Sequence, residues 1–393
     1  MKVLAAPDSF KGSLSAPEAA RAIRAGLNSS SGEFECHLLP LADGGEGTVD
    51  CLVQATGGKK VAAEVRDPLG RPIEAEYGII GSFENGDESR GKTSETAVIE
   101  MAAASGLPLL SPEERDPMKT TTAGTGELIA DALSRGVDKI LLGIGGSATS
   151  DAGMGMARAL GVKFYDESGN ELEGVGANLS HVKDIDMTGL DKRVNDVEIE
   201  VACDVDNPFY GEKGAARVYA TQKGASSSQV EELDRGLRSL AKVMREKLDM
   251  DISSEPGSGA AGGLGGGLMV FLGARLKSGI DMILDFFSFQ EKMREYDLII
   301  SGEGGFNEQS LYGKVIGGIA DRTAPLEKPL VVLAGGVSRE NRKEYYSRGI
   351  TAIFSIVDGP LGLEEAERRA EKLLKHTAEE VGNVLSISRP EDL

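Results

Sequence analysis

Val3-Leu4-Ala5-Ala6-Pro7-Asp8-Ser9 decides how this chain is read: an apolar run without alternation, cut off by proline, with a carboxylate and a hydroxyl directly behind it. Such a run is a strand buried on both faces, the kind found inside a parallel sheet. Residues 16–27 follow with helical periodicity, with Ser15 placed to cap the helix and Pro17 in its first turn. Residues 34–39 read as a second strand and 47–55 as a second helix closed by Gly57-Gly58. The chain thus starts as βαβα.

The far end repeats the pattern. Residues 297–301 (DLIIS), 329–333 (PLVVL) and 350–356 are short apolar strands. A Gly-rich loop follows the first, a helix lies near 315–322, and one terminal helix covers 363–381. Two N-terminal and three C-terminal strands therefore predict a doubly wound, mostly parallel sheet, flavodoxin-like or Rossmann-like, built from both chain ends. The middle differs: residues 61–83 alternate polar and apolar around Pro68-Leu69-Gly70, which reads as a hairpin. A strand at 139–142, a helix at 152–160, a strand at 198–202 and a glycine-dense run at 257–267 come after it. The expected division is residues 1–60 plus 287–393 as one domain and 61–286 as an inserted α/β domain, with the active site in the cleft between them.

Composition narrows the function classes. The 393 residues carry 43 Lys and Arg against 63 Asp and Glu, a net charge of −20 that repels nucleic-acid backbones. An anionic small ligand must then be held locally, by backbone N–H groups and a few placed cations. The 52 glycines, well above an average usage of roughly 7%, point to backbone that approaches ligands closely. No apolar stretch approaches membrane-spanning length. Cys36, Cys51 and Cys203 form no CxxC pair and read as free thiols. The opening MKVLAAPDSFKGS is too short for a signal-peptide core, so the expected location is the cytoplasm.

One phosphate-loop match is set aside. Residues 86–93 (GDESRGKT) fit GxxxxGK[ST], but Asp87 and Glu88 would oppose a triphosphate, and the polar surroundings suit a surface hairpin.

The chemistry-bearing segments lie elsewhere. Pro7–Ser13 and Ala42–Thr48 follow the first two strands, where open α/β sheets bind ligands. There Lys11 can pair an acid while Asp8 or Asp43 holds a hydroxyl; equally, Asp8 and Ser9 could cap the next helix, and Gly44, Gly45 and Glu46 could form a plain turn. Residues 143–151 (GIGGSATSD) offer Gly145, Gly146, Ser147 and Thr149 between a strand and a helix, and Thr121 and Thr122 open another helix upstream. Both suit phosphate at a helix N-terminus, or simple capping; neither is a GxGxxG fingerprint. Asp204 and Asp206 before Pro208 could hold Mg²⁺ or merely form Asx turns, and Lys223 adds a cation. His37, His181 and His376 are scattered, with no triad spacing.

Taken together, PDSFKGSLSA, ADGGEGT, TTTAGTGELI, GIGGSATSDAG, ACDVDNP with QKGA, and GAAGGLGGG resemble the bacterial glycerate kinase family, in that family's order and over nearly the whole chain. The resemblance implies phosphoryl transfer from ATP with Mg²⁺ to D-glycerate on two unlike α/β domains. It places Lys11 on substrate or phosphoryl oxygens, and Asp8, Ser9, Asp43 and Glu46 on the hydroxy acid. Gly145, Gly146, Ser147 and Thr149 would hold phosphates and Asp204 the Mg²⁺. Three positions depart from the pattern: Gly305 where the family usually has Arg, Asn307 where it has Asp, and Ser150 where it has Asn. A kinase for another small hydroxy acid, or a catalytically impaired glycerate- or nucleotide-binding protein, are the rival readings. Assembly is left open, with a homodimer as one candidate.

Overall fold

The structure is a computed structural model that describes residues 1–81, 94–338, 340 and 342–387. The phosphate-loop match at 86–93 lies outside the described residues. The chain folds into two compact units: residues 1–43, 50–57 and 279–393 form the first, and residues 44–49 with 58–278 form the second.

Unit 1 is a five-stranded sheet in the spatial order Ile350–Ser355, Leu330–Val337, Leu298–Phe306, Lys2–Ala5, Glu35–Leu38, with every neighbouring pair parallel. Numbered by chain order, this is the 2-1-3-4-5 arrangement of flavodoxin-like folds, whose topological switch point lies between Lys2–Ala5 and Leu298–Phe306. The first helix, Ala16–Ser29, starts where Ser15 and Glu18 satisfy each other: the Ser15 N–H donates to Glu18 Oε2 at 2.8 Å. Ile23 and Leu27 are fully buried from that helix, each side chain stabilising the unit by roughly 1.5–3 kcal/mol.

Two expectations need correcting. The Gly-rich segment after Ser301 is not a loop: the strand runs on to Phe306, with Gly305 in register with Gly336. Glycine's weak strand preference hid this, and pairing with Leu330–Val337 overrides it. The single terminal helix is two, Leu363–Arg368 and Ala370–Ile387, parted at Arg369, which leaves helical geometry (φ −102°, ψ 3°).

Unit 2 holds a six-stranded mixed sheet in the order Arg275–Lys277, Glu198–Ala202, Lys139–Gly143, Glu95–Glu100, Pro72–Gly81, Lys59–Arg66. The first four strands are parallel; the last two join antiparallel through the hairpin predicted at Pro68–Gly70. Asp67 builds that turn by accepting the Leu69 and Arg71 N–H groups at 2.8 and 2.9 Å. The glycine-dense run begins in a turn at 257–259 and continues into the helical segment Ala260–Leu272, interrupted at Ala261–Gly263 by positive φ values.

Candidate active site

In unit 1 the predicted site residues Asp8, Ser9 and Lys11 follow the first strand, at the switch point, and Asp43 follows the second, Glu35–Leu38. Asp8 leaves the first strand two residues after Ala6; the Ala6 N–H donates to Ile300 O at 2.8 Å and the Asp8 N–H to Gly302 O at 2.9 Å. Asp8 and Ser9 do not cap the following helix, because Ser15 does that work. Instead the Ser9 N–H closes back onto Asp8 Oδ1 at 2.6 Å, and the turn Phe10–Leu14 folds behind it, with Phe10 buried. Lys11 projects from this turn and is exposed. Its backbone passes so close to Gly304 that a Cβ there would stand 3.2 Å from Lys11 N, which is why the neighbouring strand carries glycine at that point.

Asp8, Asp43 and Glu303 form one electrostatic group. Burial, with the like charges of Asp43 and Glu303 added, pushes the Asp8 carboxyl up to about 7 against the pull of the Ser9 N–H. Glu303 is only 7% exposed, and its Oε1 is buried with no hydrogen-bond partner. Burial raises its proton affinity too, opposed by the Ser310 hydroxyl and the Lys314 ammonium and reinforced by Asp43. Sequence reading missed Glu303 and Lys314. Glu303 lies in what the sequence presents as a Gly-rich loop, and only its place in the sheet puts its carboxylate near Asp8 and Asp43. Gly305 is exposed with open space where a side chain would begin, and Asn307 accepts the Gln309 N–H at 2.9 Å.

Residues 44–49 belong to unit 2, where the Gly44 carbonyl lies against Gly143 and the Val49 N–H donates to Glu100 Oε1 at 2.9 Å. Gly45 accepts the Thr48 hydroxyl at 2.7 Å, and Glu46 is exposed. The 143–151 segment turns around a buried polar centre. Asp151, fully buried, accepts the Thr122 N–H and hydroxyl, each at 2.8 Å, and the Gly153 and Gly155 N–H groups at 3.2 and 3.1 Å. Lys223, 2% exposed, donates to Ser147 Oγ at 3.2 Å and Thr149 O at 2.5 Å. Burial pushes its ammonium down to about 7, with the Asp151 charge pulling upward. Gly262 (φ +72°) fits directly over Thr149 O, where a Cβ would come to 2.1 Å. Thr121 contributes its hydroxyl to the Ala123 N–H at 3.3 Å. What this centre leaves open to solvent is backbone: Gly145 and Gly146 are exposed, nothing lies within 4 Å of a Cβ at Gly145, and Gly146 sits at φ +71°.

Asp204 and Asp206 are exposed beyond the strand Glu198–Ala202, and Asn207 beside them is held by the Tyr219 hydroxyl at 2.6 Å. Among the described residues no group of three or more His, Cys, Asp or Glu side chains is arranged to hold a metal ion. No helix among them is long and apolar enough to cross a membrane.

A doubly wound α/β sheet with carboxyl groups collected at its switch point is the framework of an enzyme for small polar substrates. Comparison with known proteins makes this specific. The sequence model of the glycerate kinase family matches residues 3–386. The chain is 43% identical over 389 residues to a glycerate kinase of Bacillus subtilis (strain 168), covering 99% of each chain. It is 44% identical over 387 residues to the glycerate 2-kinase of Escherichia coli (strain K12), covering 98% of each. A crystal structure named for glycerate kinase 2 of Salmonella typhimurium LT2 superimposes with a TM-score of 0.87 at 42% identity, covering 98% of both chains. The protein belongs to the glycerate kinase family.

Proposed function

We propose that this protein transfers the γ-phosphoryl group of ATP, with Mg²⁺, to a hydroxyl of D-glycerate in the cytoplasm. The observation that carries the reading is the Asp8–Asp43–Glu303 carboxyl group at the switch point of a chain that matches the family over its length. Phosphoryl transfer asks little covalent work of a protein, so positioning and charge stabilisation carry it.

In this reading Asp8, Ser9 and Asp43 orient the hydroxy acid, with Gly44, Gly45 and Glu46 as the continuation of the same chain segment. Lys11, on its exposed turn, neutralises substrate or phosphoryl oxygens. The open backbone of Gly145 and Gly146 fits phosphate oxygens. Ser147, Thr149, Thr122 and Lys223 serve phosphate indirectly, since their polar atoms hold the loop that presents that backbone, while the Thr121 hydroxyl accepts the Ala123 N–H at the start of its own helix. Asp204 supplies a hard carboxylate oxygen, which suits Mg²⁺, an ion commonly held by one or two carboxylates plus substrate phosphates. Bound there, the ion would neutralise charge developing on the transferred group.

The relative named glycerate 2-kinase favours the 2-hydroxyl as acceptor, giving 2-phosphoglycerate. A coupled assay with ATP, Mg²⁺ and a panel of hydroxy acids tests the activity, and ³¹P–¹H NMR of the product tests the position. Turnover with D-glycerate well above every other acid supports the reading. Preference for another acid would make this a kinase of different specificity, and binding without turnover would make it a binding protein.

A further inference from the structure

Among the described residues of unit 1, Glu303 carries the buried carboxylate oxygen that has no hydrogen-bond partner. A buried carboxylate oxygen without a partner carries a desolvation cost that folding does not recover, and native proteins keep few such groups. Oε1 of Glu303 is in that state, at 7% residue exposure, on the strand beside the switch point. The groups facing it are Asp43, the Ser310 hydroxyl and Lys314, while Glu303 in turn raises Asp8. Asp151 has both oxygens hydrogen-bonded, and Glu200, whose Oε2 also lacks a hydrogen bond, is ion-paired with Lys139 at 2.9 Å and Lys277 at 2.6 Å.

We propose that Glu303 is a catalytic residue that takes the acceptor hydroxyl of the hydroxy acid, its unpartnered Oε1 receiving first the hydrogen bond and then the proton. The inference rests on the kinase reading above. Charge decides which end of the substrate enters. The substrate is itself an anion, and its carboxylate would be repelled by Asp43 and by Asp8 and Glu303 in their ionised forms, with Lys314 offsetting part of that charge, whereas its hydroxyl donates to them. The carboxylate end therefore points away from the group, toward cations such as Lys11. Asp8 is a poorer acceptor for the same hydroxyl, because its Oδ1 already takes the Ser9 N–H at 2.6 Å. In the transfer, the acceptor O–H bond breaks as that oxygen bonds to the transferred phosphorus. The bond from the phosphorus to the nucleotide's leaving oxygen breaks, and the proton passes to Glu303 Oε1 and then to water on product release.

The experiment is steady-state kinetics of the full chain with ATP, Mg²⁺ and D-glycerate, comparing wild type, Glu303→Gln and Glu303→Ala. The Gln amide oxygen still accepts a hydrogen bond but takes no proton. Glu303→Gln should therefore lose about a hundredfold or more in kcat while KM for glycerate stays within about threefold. Glu303→Ala should lose in both. Near-normal kcat in Glu303→Gln, with wild type active, overturns the inference and leaves the kinase reading standing. An inactive wild type overturns both. Should the variants fail to fold, wild type alone decides. The deoxy analogue lacking the phosphorylated hydroxyl (3-hydroxypropanoate for a 2-phospho product, lactate for a 3-phospho product) should bind at least tenfold more weakly than D-glycerate, since a site built around a hydroxyl rejects ligands without one. Equal binding of the two overturns the assignment.

Discussion

The polar centre around Asp151 in unit 2 and the carboxyl group around Asp8 in unit 1 differ in how much of their hydrogen-bonding capacity is used. In unit 2 Asp151 takes four hydrogen bonds and Lys223 donates two, so each is committed to holding the loop that carries Gly145 and Gly146. In unit 1 the Asp8–Asp43–Glu303 group keeps a buried oxygen unsatisfied, and burial with crowding by like charges raises Asp8 to a pKa of about 7. A satisfied polar centre gives rigidity to the backbone it holds. An unsatisfied one stores capacity that a ligand can use, at a cost in stability. Both centres carry charge strained by burial; what separates them is that Asp151 and Lys223 have their hydrogen bonds made, while Glu303 Oε1 does not.

The contrast is broken most severely by removing the centre of unit 2. Asp151→Ala orphans the Thr122 and glycine donors and strips Lys223 of its charge partner, and breaking such a buried group costs about 3–5 kcal/mol. Chemical denaturation should show the midpoint falling accordingly; an unchanged midpoint would mean that the polar centre is not structural. Lys11→Ala probes unit 1 instead. One placed charge stabiliser is typically worth about 10²–10³ in rate. Because Lys11 is exposed, kcat should drop by that factor with the melting temperature unmoved. Normal turnover would reduce Lys11 to a surface residue.

A smaller effect is expected at Gly305 and Asn307. The space beyond Gly305 is open, and an Asp at 307 can keep the bond to the Gln309 N–H. The double variant Gly305→Arg, Asn307→Asp should therefore fold, and its kcat should rise about tenfold or more as a cation and a carboxylate are restored. Two positions this close should act non-additively. Wild-type turnover equal to the variant's would remove this strand end from the machinery.

The smallest effect is a pH signature of the strain. Asp8 binds its proton more tightly folded (about 7) than its ordinary value of 3.8, so its contribution to folding worsens as pH rises from about 4 to 7. Asp8→Asn should consequently melt a few degrees higher than wild type at pH 8 and show no such gain near pH 4. A gain that does not depend on pH would argue against a raised Asp8.

Much of this is legible in the chain itself. The apolar runs at both chain ends, the hairpin at Pro68–Gly70 and the Ser15 cap follow from local rules, because burial on both sheet faces, turn chemistry and capping each leave a mark within a few residues. The six motifs carry the family for the same reason: they are contiguous stretches whose order is written in the sequence. Single residues in those motifs are harder to assign. Lys223 and Thr149 look like phosphate ligands from their type alone, and nothing local says that Lys223 folds inward to 2% exposure.

What the sequence by itself determined is the alternation of strands and helices, the parallel sheet from both chain ends and the glycerate kinase membership. Only the tertiary structure decided which polar groups are committed to the scaffold and which stand available. Glu303 became a buried, unpartnered carboxylate because a partner strand some thirty residues on, Leu330–Val337, pulled a glycine-rich segment into the sheet. Burial and hydrogen-bond satisfaction are sums over neighbours brought from distant parts of the chain, and no residue's identity contains them.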